Sequence, residues 1–505
     1  MSERAQGFWI CVALFVAALG VRLGLALQLP FPQLDDPAGY IQLARNIASG
    51  RGLVSDVLWS YWVSFPSVTH PSNEFWMPLA SWFMAGSIRM LGDTLFAAQL
   101  PGILAGSLLV PLAYGIGRIL WPVQRRWAVL AAALLVPNAA LVYQAVSADS
   151  SSLYTLFAVL ALFVGALAID RRRISWGLFA GVLCGLSYLT RSHGLVLPVA
   201  IGLIALVKLW RHPRFLITFG VLLALGFFVL IVPWWLRNQS VFGAMQPIPL
   251  TAIIASRGYE DWFNYTNQPT LASLTQLGWE TFLSFRADAL LRAFGVILVM
   301  TFPFGLVGLP VVLLRREPIW RAFLIYAAAM YLGVCLVLPS AAVTGSFYHS
   351  TGPFVVWAAL GSIYAIQYLF ERPRTRLMAV AGYALLAGLV LGQVALAGNS
   401  AAATSRTQGQ QFEEIAHWVQ VNVPAGEPII TTQANTLNYV TGHPALTLPT
   451  IQDVSILRQL AERYGVRYIV ITERNGLYPM ALDDPAARAR LIATLPETFI
   501  YELVR

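Results

Sequence analysis

The sequence predicts an α-helical polytopic membrane protein that carries a small C-terminal extracytoplasmic α/β domain. Hydrophobic residues make up 57% of the 505 residues and charged residues only 11%, whereas soluble proteins carry about 25% charged residues. Apolar runs of about 20 residues, the length that crosses a bilayer, recur along the chain. Basic residues are concentrated in alternate loops between these runs, as the positive-inside rule requires. This composition argues against a soluble enzyme and against a disordered chain.

The apolar runs predict about eleven transmembrane helices, at residues 7–27, 97–120, 127–146, 151–169, 174–190, 194–210, 215–235, 293–314, 321–340, 353–370 and 377–397. A shorter apolar stretch over 76–91 is expected to form a re-entrant or interfacial helix. The first run lacks a small-residue cleavage site followed by a polar segment, so we expect an uncleaved span.

The loop charges predict the orientation. The basic residues that give the net charge of +9 lie mainly in the loops of one side, for example in Arg171, Arg172 and Arg173. That side is expected to be cytoplasmic, which places the N terminus inside the plasma (inner) membrane and the C-terminal domain outside. Because the basic excess belongs to the membrane body, no nucleic-acid partner is expected. The outer side has two long, acid-bearing loops, 28–75 and 236–292, and we expect the chemistry there.

The chain divides into a transmembrane domain, residues 1–399, and a C-terminal domain, residues 400–505, joined by a small polar linker after Asn399. Residues 412–421 and 454–464 have helical spacing. Strands are predicted for the segments PIITT, PALTL, RYIVIT and TFIYELV. This alternation of strands and helices is typical of a small α/β unit.

Two adjacent carboxylates, Asp35 and Asp36, open the first outer loop just before Pro37 and Tyr40. Residues 40–47 have the spacing of one helix face, which predicts a helix lying on the membrane surface. Asp36 before Pro37 is a favourable helix N-cap, and Asp35 could be an ordinary loop acid. In the functional alternative, one carboxylate is a general base and the other its orienter or a metal ligand.

Further candidates lie at other outer loop ends. His70 and Glu74 could bind a metal or a phosphate, or could belong to a loop that enters an interfacial helix. Asp149 could cap a helix or supply a third carboxylate, since ionisable residues at membrane depth are functional candidates. A cation or histidine marks three outward span ends, at Arg191 with His193, Arg237 with Asn238, and Tyr348 with His349. Such an arginine could snorkel to lipid headgroups or hold a phosphate.

Six segments together carry a resemblance to a known family: DDPAGYIQLARNIASGRG, HPSNEFWMPLASW, SADSSSLY, GVLCGLSYLTRSHGLVLPV, PWWLRNQSVFG and FYHSTGPFVVW. In their order and membrane positions, the sequence resembles the GT-C superfamily of integral-membrane glycosyltransferases. The protein O-mannosyltransferase and lipid A aminoarabinose transferase branch, with its bacterial relatives, looks most similar. The resemblance covers most of residues 7–400, and the C-terminal segment looks like the outer domain of many such transferases.

The resemblance implies a transferase that moves a hexosyl or pentosyl group from a polyprenyl-phosphate donor at the outer membrane face. It implies a catalytic acid at Asp36, with Asp35 beside it, and a second acid at Asp149. Arg191 and Arg237 match positions near the donor phosphate. Many relatives carry an Asp-Glu pair where this chain has Pro37, which leaves open which aspartate is the base. The segment from His70 also lacks the Lys-Pro-Pro of the aminoarabinose branch, so that acceptor is not assumed.

The expected mechanism follows from these residues. An aspartate deprotonates the acceptor hydroxyl, and its oxygen attacks the anomeric carbon with inversion. The phosphate would be held by Arg191, Arg237, His193, His349 and Tyr348. If a cofactor takes part, it is a divalent cation held by Asp36, Asp149 and Glu74. Tyr40, His70 and Asn238 are expected as further pocket residues.

Two other classes of protein stay open at the sequence level. One is a polytopic lipid or sugar transporter or flippase, and the other is a non-catalytic scaffold of the same fold. A transferase should gather the carboxylates and Arg191 in one outward cavity, whereas a transporter should line a route through the membrane. The acceptor, whether protein, lipid or glycan, is not predicted.

Overall fold

The computed structural model describes residues 2–33, 35–339, 345–450, 454–472, 482 and 487–504. A bundle of helices is followed by a sheet-containing C-terminal region. The first ten helices are α1 Glu3–Ala26, α2 Asp35–Ala48, α3 Leu79–Leu91, α4 Leu95–Leu120, α5 Arg125–Leu135, α6 Ala139–Val146, α7 Ser151–Asp170, α8 Trp176–Thr190, α9 Val196–Leu209 and α10 Pro213–Phe242. The others are α11 Leu250–Ala255, α12 Leu271–Gln276, α13 Trp279–Thr301, α14 Gly305–Leu314, α15 Pro318–Leu332, α16 Gly352–Phe370, α17 Arg376–Asn422, α18 Ala434–Thr441 and α19 Ser455–Tyr464.

The protein is a multi-span membrane protein. Within the described ranges, eight helical segments are long and apolar enough to cross a membrane. Two bent pairs, α5 with α6 and α13 with α14, bring the number to ten. The remaining predicted run is α8, whose 15 residues are short for a span. Each of the eleven predicted runs therefore coincides with a helix or a bent pair of helices.

Small residues let the short helix α8 lie directly against α10. A Cβ atom added at Gly181 would come 2.1 Å from the carbonyl oxygen of Leu223, and one added at Gly226 would come 2.2 Å from that of Leu178. Such close backbone approach is the usual way in which membrane helices pack. It fixes the end of α8, where Arg191 follows.

Helices α7 and α16 lie in the buried centre of the bundle. Residues 354–360 of α16 are at most 3% exposed. In the adjoining layer the hydroxyl oxygens of Tyr154 on α7 and Tyr326 on α15 lie 2.8 Å apart. Asp149 precedes α7 and His349 precedes α16, so two packed helices hold both side chains in place.

Helix α2 is buried in protein, so its apolar face packs on other helices and not on lipid. Its position at the membrane surface stays a prediction. It packs between α3 and α18, and Tyr40 and Ile41 are 2% and 1% exposed. The helix begins at Asp35, so Asp36 is its second residue rather than its N-cap. The apolar face alone could not reveal that a helix from the C-terminal region covers its other side.

The C-terminal region contains a six-stranded sheet of order β2-β5-β4-β6-β8-β7. The pairs β2–β5, β5–β4 and β4–β6 are parallel, and β6–β8 and β8–β7 are antiparallel. The strands are β2 Val57–Leu58, β4 Ile429–Thr431, β5 Ala445–Thr447, β6 Tyr468–Ile471, β7 Ala489–Leu495 and β8 Thr498–Leu503, and a separate pair is formed by β1 Val54–Ser55 and β3 His70–Pro71. The predicted strands and the helix at 454–464 are confirmed. The strand β2, which comes from the first long loop, was not predicted.

The predicted linker after Asn399 is wrong, because α17 continues without interruption from Arg376 to Asn422. Alanines at 401–403 favour helix at this point. At 1.5 Å per residue, its 47 residues extend for about 70 Å, well beyond the thickness of a bilayer. The division at 399/400 stays a prediction, and that position lies inside a helix.

Candidate functional site

Two cavities lie at the end of the helix bundle that meets the six-stranded sheet. We call this end of the molecule the sheet end. The smaller cavity has a volume of about 210 Å³ and the larger about 620 Å³. Four residues line both of them, Asp36, Trp59, Gly345 and His349. Asp36 and His349 therefore lie at the junction of the two cavities.

Asp36 is the carboxylate left free at this junction. Among the described residues it has no hydrogen-bond or ion-pair partner, although the charges of His349, Arg191 and Asp149 all act on it. Burial raises the pKa of Asp36 above its usual range, and the positive charges of His349 and Arg191 partly oppose that rise. A free carboxylate of this kind can accept a proton from a bound group.

Asp35 has a different position, at the N-terminus of α18. Its carboxylate accepts hydrogen bonds from Asn435 Nδ2 at 2.8 Å, from the Thr436 backbone N–H at 2.9 Å and from Thr436 Oγ1 at 3.1 Å. Burial raises the pKa of Asp35 to about 6, although these bonds oppose the rise. Asp35 lines the larger cavity, but its oxygens connect the bundle to the C-terminal region.

Asp149 holds the imidazole of His349. Its Oδ2 lies 3.2 Å from His349 Nδ1, and its Oδ1 accepts the Ser151 N–H at 2.7 Å. Burial raises the pKa of Asp149, but His349 and Ser151 outweigh burial and lower it. The preceding residue, Ala148, has a φ of 49°, a left-handed conformation that is uncommon for alanine and is often found at functional sites. Asp149 therefore accepts a hydrogen bond from the first residue of α7, whose N-cap is Ser150. It shares the Nδ1 atom of His349 with the Ser151 hydroxyl, whose oxygen lies 2.8 Å from that atom.

Arg191 supplies the cation of the smaller cavity. Its guanidinium donates to Ser150 Oγ at 2.8 Å and to the carbonyl and hydroxyl oxygens of Ser346 at 3.3 Å. Its Nε atom is buried and has no partner among the described residues. Tyr40 also donates to Ser150 Oγ, at 3.0 Å, and burial raises the pKa of Tyr40 to about 12. His193 lines the same cavity.

Arg237 and Asn238, the two predicted site residues at the end of α10, lie away from both cavities. Arg237 and Asn238 do not line either cavity. The Arg237 guanidinium lies 5.0 Å from the Trp234 ring and 5.1 Å from the Phe242 ring, and it donates to Asn238 Oδ1 at 3.1 Å. Asn238 donates in turn to the Met245 carbonyl oxygen. The geometry does not bring these two residues to the junction with Asp36.

The remaining candidates are divided between the cavities. Glu74 lines the smaller cavity and Tyr348 the larger. His70 lines neither; its ring stacks on Phe65 with 3.8 Å between the centroids, and its Nε2 lies 3.4 Å from Glu74 Oε1. Burial lowers the pKa of His70, but Glu74 outweighs burial and raises it.

The predicted metal ligands are not assembled as a set. Within the part of the chain that the structure describes, no three His, Cys, Asp or Glu side chains are placed to hold a metal ion. Asp149 is paired with His349 and Glu74 faces His70. The residues Asp36, Asp149 and Glu74 therefore do not fit a divalent cation as a group.

An aromatic wall in the smaller cavity was missed by the sequence analysis. Trp59 lies 5.2 Å from Trp76 between ring centroids, and Trp76 lies 5.9 Å from Tyr40. From the second long loop, Trp262 approaches Phe75 at 4.6 Å. The density of aromatic residues in both loops was the available signal. Rings of this kind are common in cavities that bind organic ligands.

Part of the chain matches a described family. Residues 69–236 match the dolichyl-phosphate-mannose-protein mannosyltransferase family. Over 214 residues the chain is 31% identical to the undecaprenyl phosphate-α-4-amino-4-deoxy-L-arabinose arabinosyl transferase of Pseudomonas aeruginosa strain UCBPP-PA14, a match that covers 41% of this chain and 36% of that relative. The chain thus spans about a third of the length of the curated relatives it matches.

Solved structures match over almost the whole chain. ArnT from Cupriavidus metallidurans bound to undecaprenyl phosphate superposes with a TM-score of 0.59 at 16% identity, covering 98% of both chains. The chain has a GT-C fold. The resemblance predicted from the sequence is thereby confirmed at the level of fold. The Archaeoglobus fulgidus oligosaccharyltransferase also superposes, with a TM-score of 0.51 at 13% identity, over 91% of this GT-C chain and 69% of that one. At sequence identities this low, the superpositions show a shared fold. They do not show a shared activity, which depends on the residues of the site.

Proposed function

We propose that this protein transfers a sugar from a polyprenyl-phosphate carrier to an acceptor hydroxyl, with inversion at the anomeric carbon. The observation that carries the proposal is the position of Asp36, a free carboxylate at the junction of two cavities. One of these cavities contains a guanidinium and an aromatic wall. Two substrates could therefore meet at one base, with one substrate in each cavity.

The smaller cavity is suited to the donor. Arg191 lines it, and its Nε atom has no partner in the described chain. A guanidinium is suited to binding a phosphate. The aromatic wall provides apolar surface beside it. Two similar proteins support this choice of donor. The Pseudomonas aeruginosa relative is named as an undecaprenyl phosphate-α-4-amino-4-deoxy-L-arabinose arabinosyl transferase, and ArnT was crystallised bound to undecaprenyl phosphate.

The chemistry is a single displacement. Asp36 accepts the proton of the acceptor hydroxyl as its oxygen forms a bond to the anomeric carbon. The bond from that carbon to the phosphate oxygen breaks on the opposite face, and the electron pair leaves with the polyprenyl phosphate. Arg191 stabilises the charge of the departing phosphate. Asp149 keeps the His349 imidazole beside the junction.

No step is assigned to a metal ion, because the described carboxylates do not form a ligand set. Positive charge at the phosphate comes from Arg191 in this mechanism.

We also propose that the sheet end faces the outer side of the plasma (inner) membrane and that the N terminus is cytoplasmic. The basic loops support this orientation. Arg171, Arg172 and Arg173 follow the end of α7 that is remote from Asp149, and cytoplasmic loops are enriched in such residues.

The position of the cavities favours a transferase over a transporter. Both cavities lie at the sheet end. A third cavity of about 250 Å³, at the opposite end near Asp170 and Arg315, shares no lining residue with them. A transporter is expected to bind its substrate near the middle of the membrane.

The proposal is tested with purified protein in vesicles that contain undecaprenyl-phosphate-linked radioactive sugars and a cell-envelope extract as the source of acceptors. Label is expected to move from the lipid-linked donor to an acceptor, with the opposite anomeric configuration. Asp36→Asn should abolish the transfer while the protein still inserts into membranes. Unchanged transfer by Asp36→Asn, or no transfer from any donor of a hexose and pentose panel, would overturn the proposal.

A further inference from the structure

Three residues that line the larger cavity carry buried polar atoms without a hydrogen-bond partner in the described part of the chain. Gln144 and Thr447 line it and are 2% and 6% exposed. Gln144 Oε1 and Thr447 Oγ1 have no hydrogen-bond partner among the described residues, and neither has the buried Oε1 of Gln408, which lines the same cavity. Buried polar atoms are rarely left unpaired in proteins. Three of them at one cavity indicate a polar ligand.

The charge of this cavity is opposite to that needed for a phosphate. Four carboxylates line it, Asp35, Asp36, Asp149 and Glu260. None of its described lining residues is a lysine or an arginine, and His349 is already paired with Asp149. A phosphate group would be repelled here and would find few donors, whereas Arg191 lies in the smaller cavity.

We propose that the larger cavity binds the acceptor, and that the acceptor is a hydroxyl-rich saccharide without phosphate at the attacked position. This inference rests on the proposed function. Saccharide hydroxyls donate to the unpaired oxygens of Gln144, Gln408 and Thr447. A further hydroxyl faces Asp36, gives its proton to that carboxylate and forms the new bond to the anomeric carbon of the donor sugar.

A saccharide fits these atoms better than a peptide does. The unpaired atoms are all oxygens that can accept hydrogen bonds, and each saccharide hydroxyl can donate. A peptide would bring one N–H and one carbonyl oxygen per residue. Its N–H groups could also pair with these oxygens, but the ionised carboxylates of this cavity offer no donor to its carbonyl oxygens. The volume of about 620 Å³ lies within the range of sites for small organic ligands, about 300–1,000 Å³.

The first experiment compares two acceptor pools. One sample of a cell-envelope extract is treated with phosphatase and a matched sample is mock-treated, and each is incubated with the protein and a labelled undecaprenyl-phosphate sugar. Label in a saccharide fraction of both samples supports the inference. Label that requires the untreated phosphate, or label in a protease-sensitive fraction, overturns the inference but leaves sugar transfer intact. Label in neither sample contradicts both.

The second experiment uses two matched threonine variants. Thr447→Val removes a hydroxyl that has no partner among the residues that the structure describes, and the branched shape is kept. Thr155→Val removes another buried hydroxyl without a partner in the described chain, but Thr155 lines neither cavity. Thr447→Val should raise the acceptor KM about threefold to tenfold, the effect of one lost hydrogen bond, with the donor KM unchanged. Equal acceptor KM values for the two variants, or a rise in donor KM, would contradict the inference.

Discussion

His349 Nδ1 lies 3.2 Å from the buried carboxylate of Asp149, and the same histidine borders both cavities beside Asp36. The loop before α7 and the loop before α16 therefore join at the point where the reaction is proposed. Asp149 acts on the site through this histidine and through its charge on Asp36. Asp36 itself has no hydrogen-bond or ion-pair partner among the described residues. The two aspartates should respond differently to substitution.

Asp149→Asn should lower kcat by about tenfold to a hundredfold, because a buried polar group that loses its partner costs about 1–3 kcal/mol. The amide cannot provide the negative charge that now faces His349. The pH profile of kcat provides a second readout. The charge of Asp149 raises the pKa of Asp36, so its loss should lower that pKa and move the acidic side of the profile to lower pH. A profile identical to that of the wild type would contradict the assigned positioning role.

Asp35→Asn should change stability more than chemistry. The folded pKa of Asp35 is raised to about 6, above the value of about 3.9 for an unfolded chain. The folded protein therefore binds more protons between these values, and the free energy of unfolding should fall as pH rises through this window.

Thermal unfolding of the detergent-solubilised protein between pH 4 and pH 7 measures this effect. Subtracting the Asp35→Asn curve from the wild-type curve isolates the contribution of Asp35, because Asp36 titrates in both proteins. A difference that is flat across the window, or that increases with pH, would contradict the assignment.

Arg191 and Arg237 provide a matched pair of arginines at neighbouring span ends. Arg191→Ala should lower kcat/KM for the donor about a hundredfold or more, since charge-assisted hydrogen bonds to phosphate are strong. Arg237→Ala should change it less than about threefold, because this guanidinium packs on Trp234 and Phe242 outside both cavities. Equal losses in the two variants, at equal expression in the membrane, would contradict the assignment of the smaller cavity.

Transfer should persist after treatment with EDTA. The described carboxylates are not grouped as metal ligands, and Arg191 provides positive charge at the phosphate site. Initial rates are measured before and after chelation and again after addition of Mg²⁺ or Mn²⁺. A loss of rate that either cation restores would show that a metal participates.

Much of the helix bundle, and the approach of several candidate site residues to one another, could be predicted from the sequence. Apolar length and loop charge identify membrane helices, and alternate loops must meet on one side, so the approach of Asp36, Asp149 and Arg191 followed from topology. Arg237 was expected beside them but lines neither cavity, because the direction of a side chain at the end of α10 depends on packing against its neighbours. Its role at the phosphate stays a prediction.

Contacts between distant segments could not be predicted. Helix α2 is covered by α18, which lies about 400 positions further along the chain, as the bond from Asn435 to Asp35 shows. Strand β2 joins a sheet whose other strands begin at Ile429. Neither local periodicity nor charge encodes such a partner. The separate roles of Asp35 and Asp36 depend on the contact between α2 and α18.

The most direct test of the central claim is the rate of sugar transfer by Asp36→Asn in vesicles, compared with Asp93→Asn. Asp93 lies on an exposed surface, where it pairs with Arg45. We predict no measurable transfer by Asp36→Asn and a wild-type rate for Asp93→Asn, with equal amounts of both proteins in the membrane. Wild-type transfer by Asp36→Asn would show that the carboxylate between the two cavities is not the base.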